Sequence, residues 1–191
     1  MQGMPYLVSF ALLVTLAAWM VGVYNNLEHL RGVVCHCWGE WRKVTHQRNE
    51  CLADFVALFA MFLPQGDVLP VDLKRLVEDS ERTLALAYEP RWSRMHGFVG
   101  GAEQLLRLAV ARSVQVVDDT PAMRQHEPLQ RLCCTMAVAL EQQDRVTALF
   151  NRAAAEYNAA LTAPSARFLA PLFGFVAADT LTPGQEQARS A

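Results

Sequence analysis

Apolar residues are unevenly spread along this chain, and their pattern changes once. Residues 7–23 read LVSFALLVTLAAWMVGV, with no charge and only Ser9 and Thr15 bearing hydroxyls. At ~1.5 Å per residue the run covers roughly 26 Å, close to a bilayer's hydrocarbon core. Tyr6 and Tyr24 flank it, as interfacial aromatics do. In hydrocarbon the backbone must satisfy its own polar groups, so the run is predicted to be a transmembrane helix. Two other readings fit less well. A cleaved signal peptide wants a basic leading segment and a small-x-small site; residues 1–6 hold no Lys or Arg, and Val21-Gly22-Val23 is a poor site. A soluble core helix would keep a polar face, and none exists.

After residue 24 the pattern becomes periodic. No proline interrupts 27–62, and Leu27, Leu30, Val34, Trp38, Trp41, Val44, Leu52, Phe55, Phe59 and Phe62 recur mostly three or four apart. That spacing predicts one helix, continuous with the apolar run, which ends at Pro64-Gln65-Gly66. A second helix is predicted from near Pro70-Val71-Asp72, burying Leu73, Leu76, Val77, Leu84 and Ala87. Pro90, Gly97, Gly100 and Gly101 predict a break over 89–101. The helix is expected to resume over 102–116 with Leu105, Leu106, Leu108 and Ala109 inward. Asp118-Asp119-Thr120-Pro121 is expected to be a turn or cap. The last long helix is predicted over 121–161, or from Pro128, with Leu129, Leu132, Met136, Leu140, Val146, Phe150, Ala153 and Tyr157 inward. Pro164 ends it, and 168–175 should fold back to cap the domain.

The expected architecture is all-α: an N-terminal transmembrane helix continuing into an antiparallel up-and-down bundle of three to four long helices. Residues 1–6 are read as a short tail, 7–23 as the span, 24–176 as the bundle and 177–191 as a flexible C-terminal tail. Composition agrees: 52% of residues are hydrophobic, yet alternating runs suited to strands are rare. A net charge of −2 gives no electrostatic case for nucleic acid. Cys35, Cys37, Cys51, Cys133 and Cys134 make an odd count, and adjacent cysteines bridge poorly, so free thiols and a reducing compartment are expected. Arg31, Arg42, Lys43 and Arg48 follow the span, which by the positive-inside rule places the domain in the cytoplasm.

Two stretches carry a resemblance. The first is Tyr24-Asn25-Asn26-Leu27 with Leu30-Arg31, then Trp38, then Arg48-Asn49-Glu50 before Val56. The second is Tyr157-Asn158, Pro164 and Leu172-Phe173-Gly174-Phe175. The chain resembles the LemA family of bacterial membrane proteins from about residue 7 to 175, as a divergent member. It departs from the family pattern at Trp41-Arg42-Lys43-Val44-Thr45, at Ala53 and at Ala178-Asp179. The resemblance implies a membrane-anchored antiparallel bundle with no transferable enzymatic activity. Some relatives belong to gene sets for building internal bacterial membranes, such as magnetosomes, so the resemblance also implies a role in membrane organisation as a second reading.

Candidate chemistry is sparse. Cys35-His36-Cys37 offers zinc-type ligands, but residues two apart on a helix point about 200° from each other. The thiols are therefore read as small apolar packers. His29, His36 and His46 share one helix, and His29 and His36 one face; solvated histidines are the plainer reading than a pH sensor. Trp38 is read as core. A headgroup patch of Trp38 and Trp41 with Arg42 and Lys43 is the functional reading, but Trp41 stands roughly 27 Å beyond the span, which argues against it. Asp118-Asp119 and Glu141 with Asp144 are read as a cap and a solvated face. Tyr157 is expected to make a hydrogen bond near the end of the bundle. No catalytic, cofactor or metal residue is assigned. The expected function is a non-enzymatic scaffold or interaction module of the bacterial inner membrane. It meets lipid through 7–23 and an unidentified membrane or cytoplasmic protein, with homo-oligomers possible and no nucleic acid. A membrane-remodelling factor and a metal-dependent sensor or enzyme using Cys and His are the alternatives.

Overall fold

The computed structural model describes residues 4–64, 66–86 and 95–181, and these residues contain helices and no strand. In order they are α1 (Met4–Phe59), a 3-10 turn (Ala60–Phe62), α2 (Val68–Leu86), α3 (Met95–Asp119), α4 (Pro121–Arg124), α5 (Glu127–Thr162) and α6 (Leu169–Leu172).

The 56-residue α1 joins the apolar run to the periodic stretch without a break. It starts at Met4, so residues 4–6 form its first turn rather than a tail. One part of it is long and apolar enough to cross a membrane. There the large side chains face outward: Phe10 is 67% exposed and Leu12 71%. A core helix would bury them. Thr15 donates to the Ala11 carbonyl at 2.9 Å, so its hydroxyl is satisfied within the helix. Burial begins at Leu27 and continues on one stripe through Val34, Trp38, Trp41, Leu52, Phe55 and Phe59.

The end of α1 tightens into the 3-10 turn, and Gly66 turns the chain at φ +93°, where a Cβ would be strained. Asp67 Oδ1 accepts from the Leu69 N–H at 2.9 Å and thereby caps α2. The helix starts two residues before Pro70, which therefore lies within its first turn. Of the break foreseen over 89–101, residues 89–94 lie outside the described residues, as does Ala87. The rest is corrected: α3 begins at Met95 and runs through Gly97, Gly100 and Gly101. Its inward stripe is Leu106, Val110, Ser113 and Val117, whereas Leu105 and Leu108 are exposed. Three leucines within four residues cannot all share one side of a helix, and the 4-3-4 spacing places Leu106 inside.

Asp118 and Asp119 form no cap either. They are exposed at the C-terminal end of α3, and Thr120 precedes Pro121 at the start of α4. The last long helix begins at Glu127, with Pro128 in its first turn and His126 Nδ1 accepting from the Leu129 N–H. It packs along α1 in a steady register: Trp38 meets Phe150, Trp41 meets Thr147 and Thr45 meets Gln143. Across these three pairings the residue numbers rise along α1 as they fall along α5.

Candidate functional site

Two apolar clusters fill the core. One gathers Leu27, Val34, Trp38, Trp41, Leu84, Phe150, Tyr157, Phe175 and Leu181 near the apolar run. The other gathers Leu52, Phe55, Phe59, Leu73, Val77, Leu106, Val117, Leu129 and Met136 at the far end. Between them lies a polar layer centred on Arg48, whose exposure is 0%. Its guanidinium pairs with Glu103 of α3 and donates to Gln143 of α5. It also donates to Asn49 Oδ1, at 3.1 Å from Nε and 2.6 Å from Nη2, and to Ser80 Oγ of α2 at 3.2 Å. Asn49 Nδ2 donates to Ser80 Oγ at 3.0 Å and Glu81 Oε1 at 2.8 Å. Gln143 Nε2 donates to Thr45 Oγ1 at 3.4 Å, and Thr45 donates to the Trp41 carbonyl at 2.8 Å.

The layer thus ties all four long helices to one cation. Burial lowers the Arg48 pKa from its ordinary value, and the Glu103 carboxylate opposes that shift. Arginine starts so far above neutrality that it stays charged. Arg48, Asn49 and Gln143 at its centre are buried, and Glu81 at its edge reaches the surface, where it meets His46. The layer also revises the use of Arg48 as a surface charge for orientation. Arg42 is half-buried as well and donates to the Leu84 carbonyl at 3.4 Å. Sequence periodicity passed over the layer, although it left a signal. The apolar stripes skip from Val44 to Leu52, from Val77 to Leu84 and from Leu140 to Val146, and the gaps hold Arg48, Ser80 and Gln143.

A second feature sits where the apolar run meets the domain. After α5 the chain turns back through α6, and Gly174 at φ +72° reverses it. Phe173 and Phe175 then lie against Tyr24 of α1, with ring centroids 5.2 and 5.7 Å apart. Tyr157 is buried and its Oη donates to the Val176 carbonyl at 3.1 Å, the hydrogen bond anticipated for it. Asn158 grips the backbone of Ala178 on both sides, and Asn151 Oδ1 accepts from the Leu181 N–H at 2.7 Å. Residues 177–181 therefore do not belong to a flexible tail: Ala178 and Leu181 are buried. Residues 182–191 lie outside the described residues.

The remaining candidates separate. Cys35 and Cys37 are half-buried on α1, Cys51 and Cys133 border the far cluster, and Cys134 is exposed, all as free thiols. Burial raises the pKa of Cys35, Cys37, Cys51 and Cys133. Among the described residues no three His, Cys, Asp or Glu side chains are grouped to hold a metal. His29 and His36 are exposed, and His46 Nδ1 lies 3.1 Å from Glu81. Trp41 belongs to the core rather than to a headgroup patch: it stacks on Trp38 at 5.0 Å and its Nε1 donates to Thr147 Oγ1 at 3.0 Å. Glu141 pairs with Arg145, and Asp144 with Arg107 of α3. At the far end α1 and α2 flank a groove of about 570 Å³ lined by Val56, Ala60, Leu63, Pro70, Val71 and Val77. No protein-family model, curated protein or solved structure matches the chain.

Proposed function

We propose that the chain is a non-enzymatic scaffold of a bacterial inner membrane. Residues 7–23 cross the bilayer once and residues 24–176 form a LemA-like antiparallel up-and-down bundle on the cytoplasmic side. The observation that carries this reading is the unbroken α1. Its apolar part leaves large side chains such as Leu12 uncovered, and four residues after Val23 the same helix enters the core at Leu27. An all-round apolar helix surface is stable in lipid and costly in water. The continuity also argues against a cleaved leader, since no extended segment separates the run from the core. The constant register of Trp38, Trp41 and Thr45 against α5 supports the up-and-down arrangement. Arg31 and Lys43 remain outside the core, and free thiols suit a reducing compartment. Tethering confines the helical surface to the membrane face and raises its effective concentration toward partners held there.

Two measurements test the reading. The intact chain should stay with the vesicles through alkaline carbonate washing; release of full-length protein would overturn the span. A membrane-impermeant maleimide should label the exposed Cys134 only after the inner membrane is opened, and labelling of intact spheroplasts would reverse the orientation.

A further inference from the structure

The C-terminal segment carries an apolar surface that the core does not use. Phe168 is 76% exposed, Leu172 72%, Val176 54% and Phe173 42%. This surface is held in place rather than loose. Leu169, Ala170 and Phe175 beneath it are buried, Phe175 N–H donates to the Ala170 carbonyl at 2.9 Å, and Tyr157 and Asn158 fix the segment that follows. It is also continuous with the apolar run of α1, because Phe173 packs edge-on against Tyr24, the residue that closes that run. Between Glu156 and Asp179 the only charged side chain is Arg167, whose guanidinium lies 5.4 Å over the Phe168 ring. An apolar face whose own segment carries no carboxylate and a single arginine, and which abuts the apolar run of α1, has the make-up of an interfacial lipid contact.

We infer that Phe168, Leu172, Phe173 and Val176 enter the interfacial layer of the same leaflet from which α1 emerges, with Arg167 at the level of the lipid phosphates. The inference rests on residues 7–23 spanning the bilayer. The domain then meets the membrane twice, through α1 and through the segment that ends α5. Two attachment points fix its tilt and its rotation about the α1 axis, which one helix alone leaves free.

The test uses the full chain in vesicles of phosphatidylethanolamine and phosphatidylglycerol, with a photoreactive benzoylphenylalanine replacing Phe10, Leu172 or Val71 one at a time. Phe10 lies in the run, and the exposed Val71 lies on α2 at the far end. Lipid adducts at Leu172 comparable with those at Phe10, and absent at Val71, are the expected result. Adducts at Phe10 but not at Leu172 would overturn the second contact and leave the anchor standing. Adducts at neither position would overturn the anchor, and the inference with it. Capture of protein instead of lipid at Leu172 would make the face a protein interface and also overturn it. Phe168→Ser combined with a probe at Phe173 gives a second readout: the lipid adduct at position 173 is expected to be lost while helix content is unchanged, and an undiminished adduct counts against the inference.

Discussion

Asn158 and Ala178 are joined by a two-way bracket: Asn158 Nδ2 donates to the Ala178 carbonyl at 2.7 Å, and Asn158 Oδ1 accepts from the Ala178 N–H at 2.8 Å. Two bonds to one residue's backbone fix both the position and the orientation of the chain there. Asn158→Ala is expected to cost about 1–3 kcal/mol, because two backbone groups lose their partner. Limited proteolysis should then cut within 176–181 before the helices, whereas Asn158→Asp, which loses the donor but keeps the acceptor, should fall between the two.

Arg48 supplies the strongest stability prediction. Arg48→Ala leaves Glu103, Gln143 and Ser80 without their common donor and is expected to cost about 3–5 kcal/mol, a large share of the roughly 5–15 kcal/mol that holds a domain. Arg48→Lys should rescue little, since a single ammonium cannot reproduce the fork that reaches Asn49, Ser80 and Glu103. Arg48→Met with Glu103→Leu should recover much of the loss. Denaturant unfolding in detergent gives the cycle; equal losses for Arg48→Ala and the apolar pair would refute it.

The tryptophan pair permits a finer test. Trp41→Phe keeps the stack on Trp38 but removes the bond to Thr147, with an expected cost of about 0.5–1.5 kcal/mol from the hydrogen bond. Trp38→Ala opens a large hole beside Phe150 and should cost about 3–5 kcal/mol. Similar melting temperatures for the two variants would contradict the packing described.

Alkaline pH should weaken the domain. Burial raises the pKa of Cys35, Cys37, Cys51, Cys133 and Tyr157 in the folded chain. The folded state therefore holds these protons after the unfolded chain has released them. Stability is full below the unfolded values, ~8.5 for thiols and ~10 for tyrosine, and declines as pH rises through them. Thermal midpoints by circular dichroism should drop from about pH 8 upward, and Cys51→Ser with Cys133→Ser should flatten the early part of that drop. An unchanged midpoint up to about pH 10.5 would refute it.

Helix content and the long first helix were legible because 3.6-residue periodicity is a strong, local signal. The α1 stripe read from spacing matches the buried residues at Leu27, Val34, Trp38, Trp41, Phe55 and Phe59. Two kinds of error came from the same local view. In α3 the leucine run outweighed phase, so Leu105 and Leu108 were placed inside although Val110 and Ser113 set the true face. In the middle of the chain, Arg48, Ser80, Glu103 and Gln143 look like surface residues one helix at a time. Their partnership exists only once four helices lie side by side, at separations of 32 to 95 residues from Arg48. Docking of 177–181 was missed for the same reason, since Asn158 and Asn151 supply that contact from a distant helix.

An unjointed α1 also sets a distance. From Tyr24 to Phe59 it rises about 50 Å at ~1.5 Å per residue, with neither proline nor hinge to absorb a bend. The groove beside Pro64 is thus mounted on a strut of set length. Any inclination of α1 at Tyr24 would therefore displace that groove sideways by an amount set by the strut's length rather than being absorbed along the way.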